Sequence, residues 1–482
     1  MWQIATVPDL WDYNLHYHDF IWALPAEDAW SVVLDWIRNY PNEKGHAGWD
    51  PYPISLRIQN WCMYFFGSHP DAGPSDSPRE ADLWRSIFAQ MSWLEKHIEW
   101  RLLGNHILEN AAALAMAGAT FGGSSGERWL REGLKLLAQQ LPEIVLPDGG
   151  HVERSPMYHA RLCQVLDNLV RTGNAQIGTV VTPYLDKVRR ALSHISHPDG
   201  EIALFNDAAF GVYPSIAELD IRQPKTGPFA LPDSGYYGAR TPEDHYVLCD
   251  AGAIGPDYQP GHAHGDLLSF EMSCEGLRFV VDTGVYTYEN DEWRAHARST
   301  RAHNTIEVNR LDQCDFWSAF RVGRRAHPRN IRHDMAATGF SLDAEHTGYV
   351  HLRGSPVHRR SFRWNAGGIL LVRDQVRSGR AVWMRSHIHL HPDVEIATVS
   401  EREIRLKRKN AGCTIVFRGE GRLFVETSWY FPEFGRRVEN KVLVLAAKGS
   451  DVRSGFCIAA GSESVRFDLE RGARVNGTNY GW

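Results

Sequence analysis

The segment Gly261-His262-Ala263-His264-Gly265-Asp266, with Val281-Asp282-Thr283-Gly284 and Ala302-His303-Asn304-Thr305, gathers imidazole and carboxylate groups in one stretch of the chain. His264, Asp282 and His303 offer the nitrogen and oxygen donors that suit zinc or a similar divalent ion, if successive strands deliver them to one point. His262 would then remain beside the ion, free for proton chemistry. Alternation along an extended segment would put His262 and His264 on the same side. The competing reading is a surface turn with unrelated histidines, because His-x-His alone is a weak metal signature.

Three further patches carry chemistry-bearing residues. Gly104-Asn105-His106 stands where a helix would start, so Asn105 and His106 could donate to a substrate carboxylate or serve only as the cap of an amphipathic helix. Pro147-Asp148-Gly149-Gly150 is a tight turn leading to Glu153, Arg154, Tyr158 and His159 near another helix start. There Tyr158 is either a general acid or base, or a half-buried packing residue. The run from Trp293 to Arg301 concentrates cations just before His303, which reads as bidentate recognition of an anion or as a solvated charged loop.

The elements that must position these residues change character once. From about Glu27 to Ile195 apolar residues recur at helical spacing, as in Ala29, Val32, Val33, Trp36, Ile37 and Tyr40, which predicts helical hairpins in series. Ser68 to Pro74, Gly122 to Gly126 and Pro147 to Gly150 punctuate them. Arg222 to Asp233, with three prolines, reads as a linker. Beyond it the period becomes two. Leu267 to Met272, Val247 to Cys249, Arg278 to Val281, Ile369 to Val372, Thr414 to Phe417 and Val442 to Leu445 read as short strands without intervening helices, hence an antiparallel sandwich. His387, His389 and His391 alternate as one face of a strand, and most tryptophans, Trp49, Trp61, Trp93 and Trp100 among them, suit helix packing better than sugar stacking.

Composition narrows the classes. A chain of 482 residues exceeds the size at which one core stops growing, so two domains are expected, 1–225 helical and 226–482 β-sandwich. Net charge of -6 with dispersed Lys and Arg gives no reason to expect a nucleic-acid partner. Seven cysteines without a CxxC pair argue against a disulfide framework and a thiolate metal site. No run reaches the roughly 20 apolar residues of a membrane span, and Met1-Trp2-Gln3-Ile4-Ala5 lacks the regions of a secretory signal.

In order and chemistry these patches resemble the heparinase II/III family of polysaccharide lyases. The residues that carry the resemblance are Leu10-Trp11-Asp12-Tyr13-Asn14-Leu15-His16-Tyr17, Gly104-Asn105-His106, Asp148-Gly149-Gly150 through Tyr158-His159, His262-Ala263-His264, Asp282-Thr283-Gly284-Val285-Tyr286, Arg298 and His303-Asn304-Thr305. The resemblance implies a multidomain α+β chain, an incomplete (α/α) toroid followed by an antiparallel β-sandwich, with the active site in the cleft between them. The implied reaction is β-elimination at a uronic acid. Asn105 and His106 would hold the uronate carboxylate, assisted by Arg298 or Arg154, with Glu153 and His159 also placed against substrate. Tyr158 would protonate the leaving oxygen, and either Tyr158 or His262 would be the base. In relatives the positions of His264, Asp282 and His303 hold a divalent metal, often zinc, here expected to be structural.

The partner expected is an anionic polysaccharide, such as a lightly sulfated or unsulfated uronate polymer or a bacterial exopolysaccharide, with no membrane span. Action in the periplasm or outside the cell is expected if a signal was trimmed, in the cytoplasm if Met1 is the true start. The alternatives are a metal-dependent glycan hydrolase, in which the ion activates water, and a non-catalytic polysaccharide-binding or export protein on the same scaffold.

Overall fold

The structure, a computed structural model, describes residues 2, 7–43, 46–67, 77–461 and 464–482. The Ser68 to Pro74 punctuation lies outside the described residues, as do Met1 and Gln3 to Ala5. The described chain divides into two compact units, one of residues 1–145 and 163–186, the other of 146–162 and 187–482.

The first unit is helical: α1 (Asp9–Leu15), α2 (Ala26–Asn39), α3 (Pro51–Cys62), α4 (Pro78–Leu94), α5 (Gly104–Thr120) and α6 (Gly123–Ile144), followed by α7 (Pro156–Arg171) and α8 (Ala175–His194), which run through the division. Pro78 at the first turn of α4 needs no intrahelical partner, and the Ser77 side chain accepts the Glu80 N–H. In α5 the alanine-rich sequence is buried nearly all round. Its contact with α6 depends on small residues, because a Cβ on Gly133 would stand 2.4 Å from the Ala115 nitrogen and one on Gly118 2.3 Å from that of Leu130. Of the Gly122 to Gly126 punctuation, only Gly122 stays outside α6.

The second unit carries the sheets. Strands β1 (Gly227–Leu231), β2 (Tyr236–Arg240), β3 (Tyr246–Asp250), β4 (Phe270–Cys274) and β5 (Leu277–Val280) form an antiparallel sheet in sequence order. After α9 (Glu292–Arg298) come β6 (Ile306–Val308), the small hairpin of β7 (Phe316–Trp317) and β8 (Arg321–Val322), then β9 (Pro328–Ala336), β10 (Gly339–His346), β11 (Val357–Asn365) and β12 (Ile369–His389). They are followed by β13 (Glu395–Val399), β14 (Glu403–Arg408), β15 (Ala411–Gly419), β16 (Arg422–Glu433) and β17 (Arg436–Ala460). The larger sheet runs β13-β14-β15-β17-β12-β11-β10-β9, with β16 on β17 and β6 on β12. A last small sheet holds β18 (Val465–Asp468), β19 (Gly472–Val475) and β20 (Thr478–Tyr480). Val247, Phe270 and Phe279 from one sheet share a core with Phe340, Leu370, Ile415 and Leu443 from the other, so this is the expected sandwich.

Three local expectations differ. The proposed linker contains β1, an edge strand, where Pro228 removes no interior ladder bond. The expected strand at Leu267 begins only at Phe270, because Leu268 takes a left-handed φ of 63° in a turn. By their contacts residues 146–162 and 187–225, inside the expected 1–225 domain, group with the second unit. The reason lies in their hydrogen bonds: Ser155 Oγ donates to the Asp207 carbonyl, Arg154 to the Ser234 carbonyl, and Asn206 Nδ2 and the Tyr236 hydroxyl to the Arg154 carbonyl. All seven cysteines are buried and unpaired by disulfide. Among the described residues no helix is long and apolar enough to cross a membrane.

Candidate active site

Asp207, fully buried in the second unit, organises the site. Its Oδ2 is 2.8 Å from His262 Nδ1 and its Oδ1 2.8 Å from His264 Nε2. Arg294 grips both oxygens, NH1 on Oδ1 and NH2 on Oδ2. Burial opposes ionisation of Asp207, but the Arg294 guanidinium and the two imidazoles outweigh it and hold the carboxyl well below the usual range. Arg294 reaches this place because Asp291 caps α9 by accepting the Arg294 N–H at 2.8 Å. Its Nε then donates to the Ala319 carbonyl.

An ionised carboxylate only accepts, so His262 donates to it from Nδ1 and Nε2 is the nitrogen turned away from Asp207. That nitrogen lies 3.5 Å from Glu153 Oε2. The Tyr158 ring packs on His262 with centroids 4.3 Å apart, and both side chains are only partly buried. The Tyr158 hydroxyl is 3.1 Å from that of Tyr288, whose ring lies over Arg294. Burial, then the neighbouring Tyr288 and Tyr213, push the Tyr158 phenol well above its ordinary value. A protonated phenol and an ionised carboxylate therefore stand on either side of the His262 imidazole.

The loops that hold them are fixed by buried polar groups. Arg360 binds Asp374 with two nitrogens and donates to the Leu268 and Asn304 carbonyls at 2.7 and 2.6 Å. Asn304 Nδ2 reaches the Phe270 and Val281 carbonyls, and its Oδ1 accepts the His389 N–H. Arg154 and Asn206 hold left-handed φ values of 56° and 55° where these segments meet, a local cost typical of functional sites.

Segment 261–266 is not a strand, yet His262 and His264 both meet Asp207, from opposite oxygens. His303 Nδ1 lies 2.9 Å from Asp282, and its ring centroid 5.3 Å from that of His264. His264 Nδ1 and His303 Nε2 are buried without a hydrogen-bond partner. Two of the three expected metal ligands thus present a bare nitrogen, whereas Asp282 orients His303 in the manner of a carboxylate behind a ligating imidazole. Among the described residues no three His, Cys, Asp or Glu side chains are grouped to hold a metal.

The remaining expected residues are placed differently from one another. Arg298 donates from Nε and NH1 to the Ala263, Ser318, Ala319 and Arg321 carbonyls at 3.0–3.3 Å, while its buried NH2 has no hydrogen-bond partner among the described residues. Arg154 is pinned to the Val152, Asp233 and Ser234 carbonyls. His159 is buried between the Val188 carbonyl and the His151 N–H. In the first unit, Asn105 is buried at the start of α5, and His106 pairs with Glu99 at 3.0 Å and packs on Tyr52. Two residues lie outside every sequence motif, Asp207 and Tyr288, whereas Arg294 belongs to the cationic run from Trp293 to Arg301 and its bidentate grip is on Asp207.

Residues 13–216 match the family description "Heparinase II/III N-terminus" and residues 223–468 "Heparinase II/III-like, C-terminal". The chain is 26% identical over 350 residues to a heparin-sulfate lyase of Pedobacter heparinus, covering 64% of this chain and 52% of that protein. It is 29% identical over 348 residues to FtsZ-localized protein C of Caulobacter vibrioides, covering 68% and 57%. The chain thus spans little more than half the length of these curated relatives. The crystal structure of heparinase III shares its fold, with a TM-score of 0.77 at 16% identity over all of this chain and 84% of that one. With more than half of its length in the carboxy-terminal match alone and the amino-terminal match preceding it in order, the chain belongs to the heparinase II/III family.

Proposed function

We propose that the protein is a polysaccharide lyase that cleaves a uronic-acid-containing polymer by β-elimination. The observation that carries this reading is the contact of Tyr158 with His262, the latter fixed in one tautomer by the ionised Asp207. His262 Nε2 takes the C5 proton of the uronate, the C–H electrons form the C4–C5 double bond, and the C4–O bond breaks. Tyr158, protonated at neutral pH, gives its proton to the departing glycosidic oxygen. Asp207 and Glu153 stabilise the imidazolium so formed. Neutralising the uronate carboxylate falls to Asn105 and His106 on this reading, which is supported by the family alone.

A structural zinc ion on His264 Nδ1 and His303 Nε2 belongs to the same proposal, supported by those two bare buried nitrogens. When bound it would pin the loops of 261–266 and 303–305. Elemental analysis of the purified protein, with His264→Ala as the comparison, tests it independently of activity.

The function is tested by following ultraviolet absorbance of the new double bond with heparosan, heparan sulfate, heparin, hyaluronan, chondroitin, alginate and glucuronan. Absorbance with one polymer that vanishes in Tyr158→Phe and His262→Ala supports the lyase. Reducing ends without absorbance would replace it by the hydrolase. The second reading is a non-catalytic binding protein on this scaffold, for which polymer would be bound and left intact; one relative is named for its localization with FtsZ and not for an activity.

A further inference from the structure

Strands β16, β17 and β12 lie side by side, and their register makes a trough on one face of the larger sheet. Arg422 pairs with Ala446 and Ala446 with Arg385, while Phe424 pairs with Val444 and Val444 with His387. Side chains two apart share a face, so Arg422, Phe424 and Glu426 form one wall and Trp383, Arg385 and His387 the other. The small Ala446 leaves the floor between them low. The resulting groove, about 630 Å³, is lined by Asn309, Arg310, Trp383, Arg385, Arg422 and Phe424 among others. A second space of about 750 Å³, reaching His296 and Trp429, shares Arg310, Arg385 and Glu426 with it. Together they follow the strands from Arg422 to Trp429, roughly 23 Å at about 3.3 Å per residue.

This groove is separate from the Asp207 cluster. Arg294 and Arg298 of α9 turn inward to Asp207 and the backbone carbonyls described above, whereas Glu292, Ala295 and His296 of the same helix line the 750 Å³ space.

Its chemistry is selective. Trp383 is 53% and Phe424 44% exposed, two apolar platforms on a sheet surface. Arg385 is neutralised by Glu426 at 2.6 Å. The side chains of Arg310, Arg422 and Lys448 make no ion pair or hydrogen bond among the described residues, and the Lys448 ammonium lies 5.3 Å over the Trp383 ring. Three uncompensated cations therefore border the aromatic surface at the 630 Å³ groove, whereas the 750 Å³ space also carries Glu292, Glu307 and Asp312, so the positive part of the trough is the Trp383 and Phe424 end.

Arg310 adds an independent sign. Asn309 and Arg310 take φ of 54° and 59°, and the Leu311 N–H closes the turn on the Val308 carbonyl. Glycine is the residue that suits the second of these positions. The turn is nevertheless docked firmly, since Asn309 N–H donates to the Trp383 carbonyl and Asn309 Oδ1 accepts the Trp383 N–H, both at 2.9 Å. A long cation is thus kept at a strained position that aims it along the groove.

We infer that this groove is a second carbohydrate site, which holds a stretch of acidic polysaccharide away from the reacting sugar; the assignment rests on the uronate-polymer reading above. Sugar rings lie on Trp383 and Phe424, and their carboxylates meet Arg310, Arg422 and Lys448.

The test is affinity electrophoresis of the full chain carrying Tyr158→Phe, through gels containing heparosan or, as neutral control, dextran. Heparosan should retard the protein and dextran should not. Trp383→Ala should weaken retardation about tenfold. Arg310→Gly should weaken it several-fold and flatten its salt dependence, while the melting temperature holds or rises because the strain is relieved. In the catalytically intact chain, Trp383→Ala should raise KM for polymer and leave kcat unchanged. Retardation equal in parent and variants, or no retardation of the parent by heparosan, overturns the groove. The lyase reading is judged separately by absorbance: cleavage with indifferent variants keeps the lyase and removes the groove, and groove-dependent retardation without cleavage does the reverse.

Discussion

Asp207→Asn is the most searching perturbation of the site. Each carboxylate oxygen serves two donors: Oδ1 receives His264 Nε2 and Arg294 NH1, and Oδ2 receives His262 Nδ1 and Arg294 NH2. An amide has one oxygen, so whichever way it turns, its NH₂ faces one Arg294 N–H, donor against donor. Arg294 is then a buried cation without its counter-charge, a loss of about 3–5 kcal/mol and, at about 2–4 °C per kcal/mol, a fall in melting temperature of roughly 10 °C. If the NH₂ stands at the Oδ2 position, His262 must accept at Nδ1 and carry its proton on Nε2, where it can no longer act as base. Removing a general base costs about 10²–10⁴ in rate. Absorbance-based turnover and calorimetry read the two effects independently. Turnover within a factor of about three of the parent, together with an unchanged melting temperature, would refute the reasoning that Asp207 fixes His262 and neutralises Arg294.

Other outcomes follow from single features. Tyr158→Phe should lower kcat by about 10²-fold or more while leaving the fold intact, and because the phenol is pushed well above its ordinary value, the parent should show no loss of the acid up to about pH 10; an alkaline limb below that value would point to another donor. His159, lowered by burial from 6.5 to about 4, binds fewer protons folded than unfolded between those values, so its contribution is complete above 6.5 and is lost as pH falls toward 4. Urea unfolding at pH 7 and pH 5 should show His159→Gln losing about 2 kcal/mol less than the parent over that interval. Gly133→Ala should destabilise the helical unit by about 1–3 kcal/mol, because the new methyl meets the Ala115 backbone at 2.4 Å, and circular dichroism melts will show it.

The change of hydrophobic period, from helical spacing before Ile195 to alternation after Tyr236, was fully visible in the residues, because local burial patterns impose it. So were the free cysteines and the patches bearing Tyr158 and His262. The edge strand β1 was hidden by Pro228 within it and Pro224 and Pro232 beside it, which signal a linker unless the neighbouring strand is known. What residue types and spacing left open was partnership. Nothing in Asn206-Asp207 distinguishes it from any loop, and only folding brings it to His262, His264 and Arg294, which lie 55 to 87 positions away in the chain. The choice between Arg294 and Arg298 was likewise undecidable in sequence. Four residues apart on α9 they share a helix face, and it is the surrounding loops that give one a carboxylate and the other backbone carbonyls. Sequence thus determined which groups were available for proton transfer, since that follows from side-chain chemistry. Tertiary structure decided which of them meet and which atoms they present to one another, since burial and long-range ion pairing set those.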